Sequence, residues 1–177
     1  MAIITKTSVG FSRIFDLLSY QEQKYPNPKA VNFFKNGKWQ GYSIQELQSK
    51  ADILSCWFIS SGYSKGDKII LVPQLGNAEW MIVDFACQQI GLITVPVHPT
   101  SRPEEIEVIL KETEAKLCVT ADNDLYFKFT LAIENIGCKT LIYHLKLNIP
   151  GYFHPLDVER ASPDELSKLN GFKKEDG

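Results

Sequence analysis

A chain of 177 residues, 44% hydrophobic and 23% charged, is long enough to bury one sizeable core and has the make-up of a soluble globular domain. A net charge of −2 excludes a basic field for nucleic acid or anionic lipid. Cys56, Cys87, Cys118 and Cys138 each lie in an apolar run with no C-x-x-C pair and no histidine at ligand spacing; they read as buried free thiols in a reducing cytoplasm rather than as zinc ligands. The first thirty residues hold no long apolar region that would mark a signal peptide, and no run approaches the roughly 20 apolar residues that span a bilayer. Peripheral contact with a membrane is left open.

In chain order, Phe11, Ile14, Phe15, Leu17 and Leu18 recur at helical spacing and predict an amphipathic helix over 11–24, ended by Pro26 and Pro28. Ala30 to Phe34 and Lys38 to Tyr42 read as two strands of a hairpin, because Asn36-Gly37 suits a turn with positive φ at both central positions. Ser43 and Glu46 fit a capping box, which starts a helix of about five turns carrying Leu47, Ala51, Leu54, Trp57 and Phe58 on its apolar face and closing at Gly62. Asp67 to Val72 is a continuous apolar strand. Asn77 is placed to cap a helix running to Ile90, closed by Gly91. Leu92 to Val97 is the next strand. Ser101 with Glu104 predicts a helix start with Pro103 in its first turn and Ile106, Ile109 and Leu110 facing the core. Lys116 to Thr120 is a strand, Asp122 to Gly137 a capped helix, and Lys139 to Tyr143 a further strand. Beyond His144, Pro150, Gly151, Pro155 and Pro163 interrupt the pattern, so 146–177 reads as a linker-like tail and the core as about 10–145. Regular alternation of strand and helix predicts an α/β fold: a mainly parallel, Rossmann-like sheet with helices on both faces, plus a small N-terminal β-hairpin.

The residues supply no catalytic constellation. The dinucleotide fingerprint, the Walker loop, the G-x-S-x-G elbow and H-E-x-x-H are absent from the sequence. Gly62 to Gly66 holds two glycines and a lysine, but ahead of a strand, whereas a phosphate loop precedes a helix whose amides bind the anion. The turn Pro73 to Asn77 follows a strand and precedes a helix, where a ligand or a plain cap both fit. His98, just past a strand end, is a candidate for the rim of a substrate or coenzyme A channel, with a structural turn as the alternative; His144 and His154 receive no role. Catalytic, cofactor-binding and metal-binding residues are therefore none, and the chain itself calls for no cofactor.

One ordered series carries a resemblance. Tyr42-Ser43, Glu46-Leu47 and Ala51 are followed by Gly66-Asp67-Lys68 and by Asn77-Ala78-Glu79-Trp80. Then come Gly91, Val95-Pro96-Val97, Pro99-Thr100, Pro103-Glu104-Glu105-Ile106 and Glu114-Ala115-Lys116. Over about residues 10–140 this resembles the adenylate-forming (AMP-binding) enzymes, most closely the long-chain fatty acyl-CoA synthetases, with His98 where tyrosine is commoner. The resemblance implies an ATP-dependent fatty acid:CoA ligase that uses ATP, Mg²⁺ and CoA and passes through an acyl-adenylate. It places residues 1–177 as the N-terminal subdomain of the large AMP-binding domain, cut before the glycine-rich phosphate loop and inactive alone. The remainder of the same enzyme would be its partner. An exposed apolar patch, or self-association through it, would follow. Two alternatives accompany this reading: another adenylating enzyme (acyl-AMP ligase, aryl-CoA ligase or adenylation domain), and a stand-alone interaction module.

Overall fold

The computed structural model describes residues 12–35, 37–72, 78–145 and 161–175. The helix predicted from residue 11 begins later, as α1 (Asp16–Lys24), because 13–17 close tighter i to i+3 turns: the Asp16 amide donates to the Arg13 carbonyl and the Leu17 amide to that of Ile14. Phe11 lies outside the described residues. Strands β1 (Val31–Lys35) and β2 (Lys38–Tyr42) pair antiparallel, with Val31 opposite Tyr42. Gly37 takes φ +74° at the turn, and Asn36 lies outside the described residues. Phe33 turns into the core and its ring meets Tyr42 at 4.9 Å, whereas Phe34 and Trp39 pair on the outer face.

Helix α2 (Ile44–Ser60) starts at the expected box: Ser43 Oγ accepts from the Glu46 amide at 3.1 Å and Glu46 accepts from the Ser43 amide at 2.8 Å. Leu47, Ala51, Leu54 and Phe58 are buried as their spacing requires, with Trp57 partly covered. After Gly62 (φ +82°) the chain enters β3 (Lys68–Leu71), then α3 (Glu79–Gln89), β4 (Ile93–Pro96), α4 (Pro103–Thr113), β5 (Leu117–Thr120), α5 (Asn123–Ile136) and β6 (Leu141–His144). Two caps differ from expectation. Ala78 occupies the N-cap of α3, and Asn77 lies outside the described residues. At α4 the cap is Arg102 rather than Ser101, because the Ser101 amide is spent on the His98 carbonyl in a turn that precedes the helix. Glu105 then reaches back to the Arg102 amide at 2.9 Å in place of the Ser101–Glu104 pair.

The four long-range strands form one parallel sheet in the order β4-β3-β5-β6. Alternation along each strand divides the core in two. Ile69, Leu71, Leu117 and Val119 pack with α1, α2 and α3 on one face; Ile70, Val72 and Cys118 pack with Ile106 and Leu110 of α4 and Leu125 and Phe129 of α5 on the other. The expected Rossmann-like α/β sheet with helices on both faces and an N-terminal hairpin is what forms.

The region read as a linker-like tail contains a helix, α6 (Pro163–Glu175). Pro163 does not interrupt it but opens it, at the first helical position, where its missing N–H costs nothing. Ser162 and Glu165 form a second capping box, with Ser162 Oγ accepting from the Glu165 amide at 3.3 Å and Glu165 accepting from the Ser162 amide at 2.8 Å. Leu169 is 1% exposed against the first core face.

Candidate functional site

In an open parallel sheet, ligands collect beyond the strand C-termini, where successive connections leave in opposite directions. Here that point lies between β3 and β5: β3 leads to α3 on one face, β5 to α5 on the other. The edge is built from Val72, Val97-His98, Thr120-Ala121-Asp122 and His144. Backbone bonds continue the ladder to its limit, from the Val72 amide to the Val119 carbonyl at 3.0 Å and from Val97 to Leu71 at 3.1 Å. The turn Pro73 to Asn77, read from sequence as a ligand or cap position, lies outside the described residues, as does His154.

His98 is exposed at this edge, after β4. Its Nδ1 accepts from the Thr100 amide at 3.3 Å and sits 2.8 Å from Thr100 Oγ1. The His98–Ser101 turn is held by the Ser101 amide on the His98 carbonyl at 3.0 Å, and Lys128 of α5 donates to the Ser101 carbonyl at 3.0 Å. His98 is thus a turn residue at the strand C-terminal edge. Lys128 is a support that the sequence gives no sign of, because it is far along the chain from the turn it holds. His144 ends β6 and is buried at 3% exposure, its ring edge-on to Tyr126 at 5.9 Å.

Of the helix N-termini at this edge, those of α4 and α5 are each neutralised from within. The Asp122 carboxylate accepts from the amides of Asp124 at 2.9 Å and Leu125 at 3.3 Å. Glu105 occupies the start of α4, and the Arg102 amide and side chain beside it hold its carboxyl below the usual range. An incoming phosphate would have to displace a carboxylate at either end, so these two starts do not fit a nucleotide phosphate. Among the described residues, no three His, Cys, Asp or Glu side chains converge as a metal-ligand set. Among the described residues, His98 is not brought together with a carboxylate, and no nucleophile–base pair forms at the edge.

The cysteines are free, with Cys56, Cys87 and Cys118 buried and Cys138 partly so. Burial pushes the Cys56 thiol up to about 11 and raises those of Cys87 and Cys118 as well, so all three are inert hydrophobes at neutral pH. No helix among the described residues is long and apolar enough to cross a membrane.

The sequence profile of a family described as AMP-binding enzyme matches residues 18–167. A long-chain fatty acid–CoA ligase of Mycobacterium bovis is 25% identical over 134 residues, covering 76% of this chain and 20% of the relative. A medium-chain fatty acid–CoA ligase of Escherichia coli is 32% identical over 123 residues, covering 69% and 20%. The chain therefore spans about a fifth of the length of these relatives. Among solved structures, a putative long-chain fatty acid CoA ligase of Rhodopseudomonas palustris superposes with a TM-score of 0.70 at 18% identity, over 88% of this chain and 38% of that one. A fatty acid AMP ligase of Legionella pneumophila gives 0.55 at 18% identity, over 71% and 22%. At such identities the structures establish a shared fold.

Proposed function

Since this chain belongs to the AMP-binding enzyme family, we propose that it is the N-terminal sheet subdomain of an ATP-dependent long-chain fatty acid:CoA ligase and does not adenylate by itself. The observation that carries this reading is the ordered motif series from Tyr42 to Lys116, matched to fatty acid–CoA ligases, in a sequence without a glycine-rich phosphate loop. Adenylation needs amides, a cation and Mg²⁺ around the transferring phosphates. The two helix starts described at the ligand edge are already filled by Asp122 and Glu105.

In this reading ATP, Mg²⁺ and CoA belong to the whole enzyme, whose remaining subdomains are the partner of this one. The chain contributes one wall of the acyl or CoA channel, with His98 at its rim. The cytoplasm is the compartment, in keeping with four free thiols. Isolated, the 177 residues self-associate through exposed apolar side chains such as Phe127 and Leu131, one helical turn apart on α5; a monodisperse monomer in sedimentation counts against that.

The test is pyrophosphate release from ATP, Mg²⁺ and palmitate. The expected result is background for the 177 residues and fatty-acid-dependent turnover for the full-length protein. Turnover by the 177 residues overturns the scaffold assignment. Preference of the full-length protein for aryl or amino acids overturns the fatty-acid assignment. In that protein, His98→Ala is expected to raise KM for acyl acid or CoA several-fold, beyond a small loss of thermal stability from the missing Thr100 bond; an unchanged KM removes His98 from the channel.

A further inference from the structure

The opposite edge of the sheet, where the strands begin, carries a groove that the site above does not use. It encloses about 370 Å³ and is lined by Trp57, Tyr63, Leu141, Tyr143, Lys116 and Lys139. It lies beside the C-terminal turn of α2, which stops at Ser60, and the start of β6, an edge strand of the described sheet. Leu141 is left 52% exposed as a result.

Three rings form a continuous aromatic surface. Trp57 lies 5.7 Å from Tyr143, edge-on, and 6.0 Å from Tyr63. Burial, with the neighbouring Tyr143 and Asp67, pushes the Tyr63 hydroxyl up to about 12, so it remains a neutral phenol. The two lysines differ. Lys116 is committed to Asp67 at 2.6 Å. Lys139 is exposed and meets no acid among the described residues. The groove therefore combines apolar ring faces with one uncompensated positive charge.

We propose that this groove binds a small aromatic anion: a planar ring against Trp57, Tyr143 and Leu141, and a carboxylate or phosphate group at Lys139. The volume suits a single-ring ligand. Ring–ring contact supplies the attraction, and the lysine selects the anionic form. An exposed lysine alone holds an anion weakly, and a solvent-open groove holds a bare ring weakly, so the signature of the site is dependence on both groups. The groove and His98 lie at opposite ends of the strands, so this inference stands or falls independently of the ligase reading.

The test is an NMR titration of the isotope-labelled 177-residue chain with four probes: benzoate, phenyl phosphate, phenol and inorganic phosphate. Saturable shifts of the Trp57 indole and the Leu141 amide are expected with benzoate, phenyl phosphate or both, and which of the two binds tighter identifies the anionic group. Phenol and inorganic phosphate should give under about a tenth of those shifts at equal concentration, and Lys139→Gln should weaken binding at least about fivefold. Lys139→Arg, which keeps the charge, should bind like the parent, and Leu141→Trp should fill the groove and abolish binding. Inorganic phosphate or phenol binding as tightly as the ring-bearing anions overturns the proposal. So do shifts centred on His98, an unperturbed Lys139→Gln, or no saturation by either anion.

Discussion

Gly91 shows how a single position can be fixed by space and backbone together. It sits at φ +69°, and an added Cβ would lie 2.9 Å from Lys65 Cγ. Gly91→Ala is expected to cost about 1–2 kcal/mol from the left-handed backbone alone, read by urea unfolding; an unchanged midpoint would mean that the turn relaxes freely. Asp122→Ala strips the cap of α5 and should cost about 1 kcal/mol. The thiols offer a chemical readout: alkylation of the native chain at pH 8 should label Cys138 and spare Cys56, Cys87 and Cys118 until denaturant is added, with mass spectrometry locating the label. The acid limb of stability comes from lowered carboxylates. Arg13 lowers Asp16. The Ser43, Arg102 and Ser162 amides lower Glu46, Glu105 and Glu165. At Asp67 burial pushes upward, but Lys116 and the Ser64 amide outweigh it. A folded pKa below its unfolded value gives stability that is complete above the unfolded value, near 4, and is lost as pH falls through the folded one. The unfolding midpoint should therefore hold steady from neutrality down to about pH 5 and fall below about pH 4.

At the scale of elements, α6 is where the sequence was least legible. Its apolar content is thin, and Pro163, a breaker by residue type, is a first-turn residue here. Ser162 and Glu165 were a readable capping box, of the same kind that located α2 correctly. What no local pattern could reveal is how the helix docks. Lys173 donates to Asp52 at 2.8 Å, Gln89 donates to the same carboxylate oxygen at 2.8 Å, and Ser55 donates to Gln89 at 2.6 Å, so α6, α2 and α3 share one polar chain. Arg13 also donates to the Lys173 carbonyl, and Ser60 donates to Glu165 at 3.0 Å. Leu169→Ala should remove about 2–4 kcal/mol of packing. Because α6 touches one face only, the expected readout is faster amide exchange in α6 with the sheet still protected. Global loss of protection would show instead that α6 is integral to the core. Strands and caps with strong local signals, such as β2, α2 and α5, were legible almost residue for residue. The cap of α4 slipped by one because a turn amide was claimed by His98.

For the whole molecule, strand order and the division of the core came from long-range pairing, which alternation alone cannot give. The sequence supported a parallel sheet with two covered faces; that β3 is flanked by β4 on one side and β5 on the other is seen only in three dimensions. The candidate site shows the same limit. His98 could be placed past a strand end, but its bond to Thr100 and the Lys128 brace could not. The two faces make a joint prediction. Phe129 and Phe58 are each at most 1% exposed on opposite sides of one sheet. Truncation of either to alanine should cost about 3–5 kcal/mol, and the double variant should lose close to the sum if the faces are independent. A marked departure from additivity, measured in a double-mutant cycle, would mean that the sheet transmits strain between them.

The strand order also bears on the sequence of events at the ribosome. β3 is synthesised first of the four and lies inside the sheet; β4 joins one side of it, β5 the other, and β6 adds to β5. Each of β4, β5 and β6, on emerging, finds its neighbour already made; β3 alone waits for partners translated later. Assembly can proceed vectorially, from the inner strand outward, at the pace of translation, which shortens the time that later apolar strands such as Leu117–Val119 spend unpaired and open to aggregation.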